Sequence, residues 1–231
     1  MKYLLALLIS ILISTVSQSQ TVSTTQNWAR QDLMQKTNKV IGDNLPENVE
    51  GSMYYLSSYA PGFLYYDSNK LEREFEYRYN AFSDQIEVKT PEGSDYLAQS
   101  PKLSVDIMGK YFSYVQYLNP SDESIAFGYM IKLLEDDDFI LFQREYKQLK
   151  EGKKSTNGMT PDLPSKLVDK SDFYIKTDKH TYAYEFPQSK KELYKMFPEI
   201  KGGLKSFLKK EKIDLSDPND IIKVLEYCYD E

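Results

Sequence analysis

The sequence predicts an α+β fold, in which a curved or barrel-like antiparallel β-meander of about eight to ten strands is followed by two or three C-terminal helices. Apolar segments with a period of two are joined by short turns, which is typical of neighbouring antiparallel strands. Tyrosine supplies 20 of the 231 residues, and its ring suits a pleated surface that is buried on one side. From Ser189 onward the apolar spacing becomes helical.

The clearest element is a β-hairpin within residues 72–89, EREFEYRYNAFSDQIEVK, where aromatic and charged positions alternate. With a turn at residues 81–84, the predicted cross-strand pairs are Tyr79–Ile86, Arg78–Glu87, Tyr77–Val88 and Glu76–Lys89. A slip of one residue would place the tyrosines opposite charges. We interpret the segment as a structural hairpin, and a binding role for the polar pair Arg78 and Asn80 is the alternative.

The N-terminus has the pattern of a secretory signal peptide, because Lys2 is followed by a short apolar run and then by small polar residues. We expect residues 1–19 to be removed, residues 20–50 to form a weakly ordered lead-in with a short helix ending before Gly42, and residues 51–231 to form one domain. An exported protein of the periplasm or the extracellular medium is therefore expected. No second apolar run has the length of a membrane span.

Composition narrows the classes of partner. Loss of Lys2 with the leader would change the formal net charge from −6 to −7, and this mildly acidic balance argues against nucleic acid. The single cysteine, Cys228, cannot form a disulfide within the chain. Packing must therefore hold the fold together.

The segments around the central hairpin are predicted from their turn residues. Residues 51–66 are expected to form two short aromatic strands around a type II turn at Pro61 and Gly62. Residues 91–101 have the composition of a loop.

A strand pair is expected at residues 103–107 and 110–118, on either side of Gly109. The second strand carries apolar or aromatic residues on both faces, which favours a second covering layer, with a ligand pocket as the alternative.

A second hairpin is predicted at residues 127–134 and 139–146, around the acidic turn at residues 135–138. Its expected cross-strand pairs are Leu133–Ile140, Ile131–Phe142 and Phe127–Tyr146. The four acids also suit calcium, but the spaced ligands and the glycine of a calcium loop are missing. We expect a solvated turn and no metal.

Residues 151–166 have the composition of an exposed loop. A last hairpin is expected at residues 173–176 and 181–186. Its predicted cross-strand pairs are Ile175–Tyr182 and Phe173–Tyr184.

Three C-terminal helices are predicted from their caps and apolar faces. The first follows Ser189 and ends near Phe197, the second lies within residues 198–210, and the third has Pro218 in its first turn. The lysine face of the second is interpreted as solvated, with an anionic surface as the alternative.

Several catalytic classes lack their residues. His180 is the only histidine, so the sequence lacks the second histidine that a zinc cluster would need, and a Ser-His-Asp triad would have to use this one residue. The sequence also lacks a phosphate-binding glycine loop, a GxSxG segment and a paired-cysteine motif. A pair of carboxylates as in glycosidases stays open, but we expect no enzyme and no cofactor.

Three segments, GSMYYL, YRYNAFSDQIEVK and DLSDPNDIIKVLEYC, resemble a group of exported bacterial proteins that have no assigned activity. The shared hairpin motif is RYN-x-x-x-D-x-x-EV, and its positions here are Arg78, Tyr79, Asn80, Asp84, Glu87 and Val88. The resemblance implies an exported domain and transfers no catalytic residue.

The tyrosine content predicts a non-catalytic binding protein for an envelope protein or a glycan, since tyrosine offers a large contact area at low entropic cost. The alternative is a periplasmic carrier of an apolar ligand in a tyrosine-lined cavity. The residues expected to line such a binding site are Tyr77, Tyr79, Tyr114, Phe127 and Tyr129.

Overall fold

A computed structural model of the chain describes residues 34–35, 49–91, 93–154 and 163–229. Within these ranges, twelve strands form one sheet, and three helices follow it. No helix in the same ranges is long and apolar enough to cross a membrane. The predicted signal peptide lies outside the described residues, and so does the predicted short helix before Gly42 except for Met34 and Gln35, which form a short strand instead.

The strands are β1 (Met34–Gln35), β2 (Val49–Glu50), β3 (Ala60–Tyr66), β4 (Asn69–Asn80), β5 (Gln85–Thr90), β6 (Gly93–Leu97), β7 (Leu103–Ile107), β8 (Lys110–Leu118), β9 (Ile125–Glu135), β10 (Phe139–Lys150), β11 (Ser165–Thr177) and β12 (Tyr184–Glu185). The helices are α1 (Lys190–Met196), α2 (Lys201–Lys210) and α3 (Pro218–Tyr229).

The strand order in the sheet is β1-β6-β5-β4-β3-β7-β8-β9-β10-β11-β12, and β2 pairs with β11. All pairs are antiparallel except β2–β11. The α+β class is confirmed, with more strands than the expected eight to ten. The sheet is not closed, because β1 and β12 end the order and do not pair with each other in the described part of the chain.

The central hairpin forms with the predicted register. β4 and β5 pair Tyr77 with Val88, Arg78 with Glu87 and Tyr79 with Ile86. Glu76 and Lys89 form the expected ion pair at 2.6 Å. The alternation of apolar and charged residues therefore predicted both the position of the turn and the two faces of the hairpin. Each observed pair joins two apolar residues or two residues of opposite charge.

The turn predicted at Pro61 and Gly62 is wrong, since both residues lie inside β3. β3 is held between β4 and β7 on both sides. Gly62 allows β3 to lie close to β7, because a methyl group at this position would place its carbon 2.3 Å from the Asp106 carbonyl oxygen. The loop predicted at residues 91–101 is also partly wrong, because β6 forms within it and pairs with β5.

The strands β7 and β8 on either side of Gly109 are confirmed. The register predicted for β9 and β10 is wrong: the observed pairs are Ile140–Glu135, Leu141–Leu134, Phe142–Lys132 and Gln143–Ile131. The register already differs by two residues at Ile140, next to the turn, and a bulge between Leu141 and Phe142 then shifts the ladder by one residue, which a strict period of two cannot anticipate.

The register predicted for the last hairpin is wrong as well, because β12 pairs Ile175 with Tyr184 and Tyr174 with Glu185. Ala183 turns instead to β8: its N–H donates to the Gln116 carbonyl at 2.8 Å, and its own carbonyl accepts from the Leu118 N–H at 2.8 Å. Strands β8 to β11 thereby curl around a small core of Val115, Tyr117, Met130, Phe142, Tyr174 and Ala183. We call the side that holds this core the inner face.

The other side of β8 carries Phe112, which belongs to a larger core. β8 therefore lies between two packed layers. This explains why its sequence has apolar or aromatic residues on both faces. The larger core contains buried residues of β3, β4, β5, β7 and β9, with Tyr77, Tyr79, Ile86, Val88 and Tyr129 among them.

All three predicted helices form. The Glu192 N–H donates to Ser189 Oγ at 3.3 Å, which caps α1, and the Asn219 N–H donates to Asp217 Oδ1 at 2.8 Å at the start of α3. The helices pack over one end of the sheet. Their shared core joins Leu193, Leu204, Leu208, Ile221, Val224 and Leu225 to Phe139, Leu141 and Ile175.

Candidate functional site

The polar residues of the RYN-x-x-x-D-x-x-EV motif are engaged within the hairpin and its neighbours. Asn80 Oδ1 accepts the backbone N–H groups of Phe82 and Ser83, each at 3.1 Å, and so holds the turn. Asp84 completes the turn with φ +55°, a backbone conformation that aspartate tolerates better than most residues. The predicted binding candidate Asn80 is thus a turn residue, and it is almost completely buried.

The other predicted polar candidate, Arg78, lies in a cluster that we call the tyrosine clasp: Tyr54, Tyr59, Arg78 and Glu87. The Arg78 guanidinium lies 3.5 Å and 4.4 Å from the ring centres of Tyr54 and Tyr59. Its Nη2 donates to Glu87 Oε2 at 2.7 Å.

Both tyrosine hydroxyls of the clasp also donate to Glu87, at 3.2 Å and 2.8 Å. Burial, followed by the charge of Glu87, raises the pKa of Tyr54 to about 12. The clasp is therefore a satisfied buried ion pair that fastens residues 54–59 to the charged side of the hairpin.

Asp84 and Tyr79 connect the hairpin tip to two diverging strands, and we call this contact the hairpin wedge. The last β9–β10 pair is Gln143–Ile131. Beyond it, Asp84 Oδ1 accepts the Tyr129 N–H at 3.0 Å, and the Tyr79 hydroxyl donates to the Glu145 carbonyl at 3.1 Å.

The Ala81 carbonyl adds a third contact by accepting the Lys147 N–H at 3.0 Å, and the Tyr79 hydroxyl also bonds Asp84 Oδ1 at 2.8 Å. The wedge thus supplies hydrogen-bond partners to backbone groups of β9 and β10 that no longer pair with each other. Buried backbone groups need such partners.

Arg144 lies beside the wedge on β10. A methyl group at Gly128 would place its carbon 2.7 Å from Asp84 Oδ2 and 3.5 Å from Arg144 Nε, so both side chains crowd this glycine. The guanidinium lies 4.9 Å from the ring centre of Tyr117 and 5.1 Å from that of Tyr146.

Burial raises the pKa of Asp84, and the hydrogen bonds from Tyr129 and Tyr79 together with the charge of Arg144 oppose this effect. The cluster is a buried acid with a cation held between rings. Because its contacts serve the diverging strands, we assign it to the fold.

The five residues predicted to line a binding site fall into two groups. Tyr77, Tyr79 and Tyr129 are 0%, 2% and 1% exposed and belong to the larger core, where the rings of Tyr79 and Tyr129 meet edge to face. Tyr114 and Phe127 lie next to them at the surface. The ring of Tyr114 contacts Tyr129 at 5.1 Å and stacks on Phe127 at 5.7 Å.

Phe127 belongs to an apolar surface that we call the exposed strip: Tyr114, Leu118, Ile125 and Phe127. The pairs Leu118–Ile125, Gln116–Phe127 and Tyr114–Tyr129 put these residues on the same side of β8 and β9. Ile125 and Phe127 are 47% and 44% exposed. The strip therefore continues the larger core out to the surface.

Open cavities of about 630, 360 and 310 Å³ lie among the described residues. The cavity of about 630 Å³ lies between β11 and the ends of the helices, and its lining includes Phe173, Phe186, Lys190, Ile213, Asp214 and Pro218.

The second cavity, about 360 Å³, is lined by inner-face residues and also by Tyr114, Gln116 and Phe127 from the other side of β8 and β9. We call it the lysine trough, and its lining includes Lys102, Ser104, Tyr111, Ser113, Lys132 and Lys176. Cross-strand pairs align Tyr111 with Lys132, and Lys132 with Phe142 of the inner core. The trough thus runs across the strands rather than along them.

The single histidine lies in the turn after β11, where its ring contacts those of Tyr182 and Tyr184. Among the residues that the structure describes, no group of three His, Cys, Asp or Glu side chains could hold a metal ion. The acidic turn at residues 135–138 is exposed.

No family model, no curated protein and no solved structure matches this chain.

Sequence reasoning missed Arg144 and the lysine trough. Arg144 follows the alternation of β10 and gives no local signal, because its ring partners come from β8 and β10 and its acid from the hairpin turn. The lysines of the trough lie far apart in sequence, and only the strand order places them together. The charged residues of successive strands would have become informative once that order was known.

Proposed function

We propose that this chain is an exported, non-catalytic binding protein that recognises another protein of the cell envelope through the exposed strip. The observation that carries the proposal is the exposure of Ile125 and Phe127, next to a core that buries other large residues of the same strands. Exposed apolar patches with aromatic residues are typical of protein-binding surfaces.

The geometry of the strip supports this role. Tyr114 and Phe127 stack with an interplanar angle of 16°, which gives a flat aromatic surface, and Leu118 and Ile125 extend it toward the end of the β8–β9 hairpin. Asp122 and Glu123 lie in the connecting loop and are exposed. An apolar centre with a charged rim is the arrangement expected of an interface.

Glu87 and Asp84, the acids with the most hydrogen-bond partners described above, already accept hydrogen bonds within the fold, which supports a non-catalytic role. Glu87 accepts bonds from Arg78 and two tyrosines, and Asp84 holds the Tyr129 N–H. The carrier alternative has less support, because Tyr77, Tyr79 and Tyr129 fill the interior that a ligand would need.

The test is capture of partners from an envelope extract with immobilised mature protein, compared with the variants Ile125→Ser and Phe127→Ser. The matched control is Met108→Ser, since Met108 is an isolated apolar residue that is 70% exposed at the β7–β8 turn. We expect one set of partners to be retained by the parent and the control but lost from both strip variants. Equal capture by all four proteins would refute the proposal.

A further inference from the structure

We propose that the lysine trough is a second binding site beside the exposed strip, and that its ligand is an acidic saccharide. The trough has a volume of about 360 Å³, within the usual range for small-ligand sites. Tyr114 and Phe127 of the strip also line the trough, whereas Ile125 does not. Lysine variants of the trough and the variant Ile125→Ser of the strip can therefore separate the two sites.

Cationic groups are distributed across the trough. Lys132 lies on β9 and Lys176 on β11, and β10 lies between these two strands. Two strand spacings therefore put the two lysines roughly 10 Å apart across the sheet. Lys102 immediately precedes β7, two strands from β9 on the other side. The three lysines of the trough are thus spread across strands β7 to β11, which fits a ligand with repeated negative charges.

Two carboxylates face the same cavity. Lys132 pairs with Glu135 at 2.5 Å, and Lys102 pairs with Asp67 at 3.3 Å. These pairs are partly exposed, so solvent weakens them, and each ammonium has three donors, of which a single carboxylate oxygen uses one. Lys176 forms no ion pair with any described residue. The trough therefore carries an excess of one cation.

Aromatic and hydroxyl groups complete the lining. The Lys132 ammonium lies 4.7 Å from the ring centre of Tyr111, which fixes its position, and Ser104 Oγ donates to the Tyr111 hydroxyl at 2.5 Å. Ser113 and Thr181 add hydroxyls to the lining. Hydroxyl groups can both donate to and accept from the hydroxyls of a sugar.

The course of the strands favours a saccharide over an acidic peptide. A peptide in extended form gains most from pairing with an open strand edge, but the trough crosses β7 to β11, whose edges are already paired with one another. A sugar needs only side-chain partners, and these are what the trough offers.

The experiment measures binding by titration calorimetry with the purified mature protein. The probes are an oligogalacturonate, its methyl ester as the uncharged match, a sulfated oligosaccharide and a polyglutamate peptide. We expect an acidic saccharide to bind, the ester to bind at least about tenfold more weakly, and added salt to weaken binding.

The variants Lys132→Gln and Lys176→Gln should each weaken binding by about tenfold, the loss that one charge-assisted hydrogen bond gives. Lys89→Gln is the control, because Lys89 is exposed and ion-paired on β5, and it should bind like the parent. Ile125→Ser should also bind like the parent, because Ile125 belongs to the strip but does not line the trough, which separates this proposal from the one for the strip. A melting temperature for each variant verifies that it is folded.

Four results would overturn the proposal: no binding of either acidic saccharide, equal binding of the ester, binding of polyglutamate as tight as that of the saccharide, or unchanged binding in both lysine variants.

Discussion

The hairpin wedge and the exposed strip meet at Tyr129, but the side chains of the wedge are hydrogen-bonded within the fold, whereas those of the strip face solvent. In the wedge, Tyr79 and Asp84 bond each other and the backbone of β9 and β10. In the strip, Ile125 and Phe127 remain open to solvent although they continue the same face of β9. We infer that the apolar surface of the strip is not needed to complete the fold, whereas the wedge is.

The largest effect should follow from a charge in the buried part of the hairpin. Tyr77 is 0% exposed, so Tyr77→Asp should cost more than about 4 kcal/mol and leave the chain unfolded. Glu76→Ala is the matched control, because it breaks only an ion pair whose partners are about half exposed, and it should change the free energy of unfolding by less than about 1 kcal/mol. Equal melting temperatures for the two variants would show that the faces of the hairpin are reversed.

The wedge itself can be broken at Asp84. Asp84→Ala should destabilise the protein by about 3 kcal/mol, because the Tyr129 N–H and the Tyr79 hydroxyl lose an acceptor and Arg144 loses its nearby charge. Chemical denaturation measures the loss.

Asp84→Asn sharpens this test, since the amide keeps one acceptor oxygen but removes the charge, and its loss should be smaller. Asp122→Ala, in an exposed loop, should leave the transition where it is. An Asp84→Ala protein as stable as the parent would contradict the role of the wedge.

The prediction from sequence succeeded where one segment contained all of the information. In β4 and β5 each residue has a complementary partner across a short turn, so register and faces follow from residues 76–89 alone. The helices are similar, since Ser189 caps α1 through a residue three positions away.

Prediction failed where distant segments decide. Pro61 and Gly62 have the chemistry of a turn, but pairing on both sides holds them in a strand. β9 and β10 pair only up to Ile131 because the wedge enters between them, and Ala183 leaves its expected hairpin to reach β8. For the same reason, the five aromatic residues expected to line one site divide between core and surface.

Alkaline pH should destabilise the fold through its buried tyrosines. Burial raises the pKa values of Tyr77, Tyr79 and Tyr129 above the usual value of about 10, and raises those of Tyr54 and Tyr146 to about 12. The unfolded chain therefore ionises first as the pH rises.

The stabilisation that these neutral tyrosines give is complete below about pH 10 and is lost progressively from about pH 10 to 12. Tyrosinate absorbance and circular dichroism, followed together, should change in one step as the fold opens. Full ionisation of tyrosine with the sheet intact would be inconsistent with a buried tyrosine core.

The smallest effect on stability is expected at the strip, and it gives the most direct test of the account. Phe127→Ser should lower the free energy of unfolding by less than about 1 kcal/mol, because the ring is 44% exposed and mainly contacts Tyr114. The decisive measurement compares the parent with this variant in two readouts, the melting temperature and the amount of envelope partner captured. We expect nearly equal melting temperatures for the two proteins and loss of the partner from the variant. A variant that retains the partner in full, or that unfolds like Tyr77→Asp, would contradict the division between a wedge that holds the fold and a strip that binds.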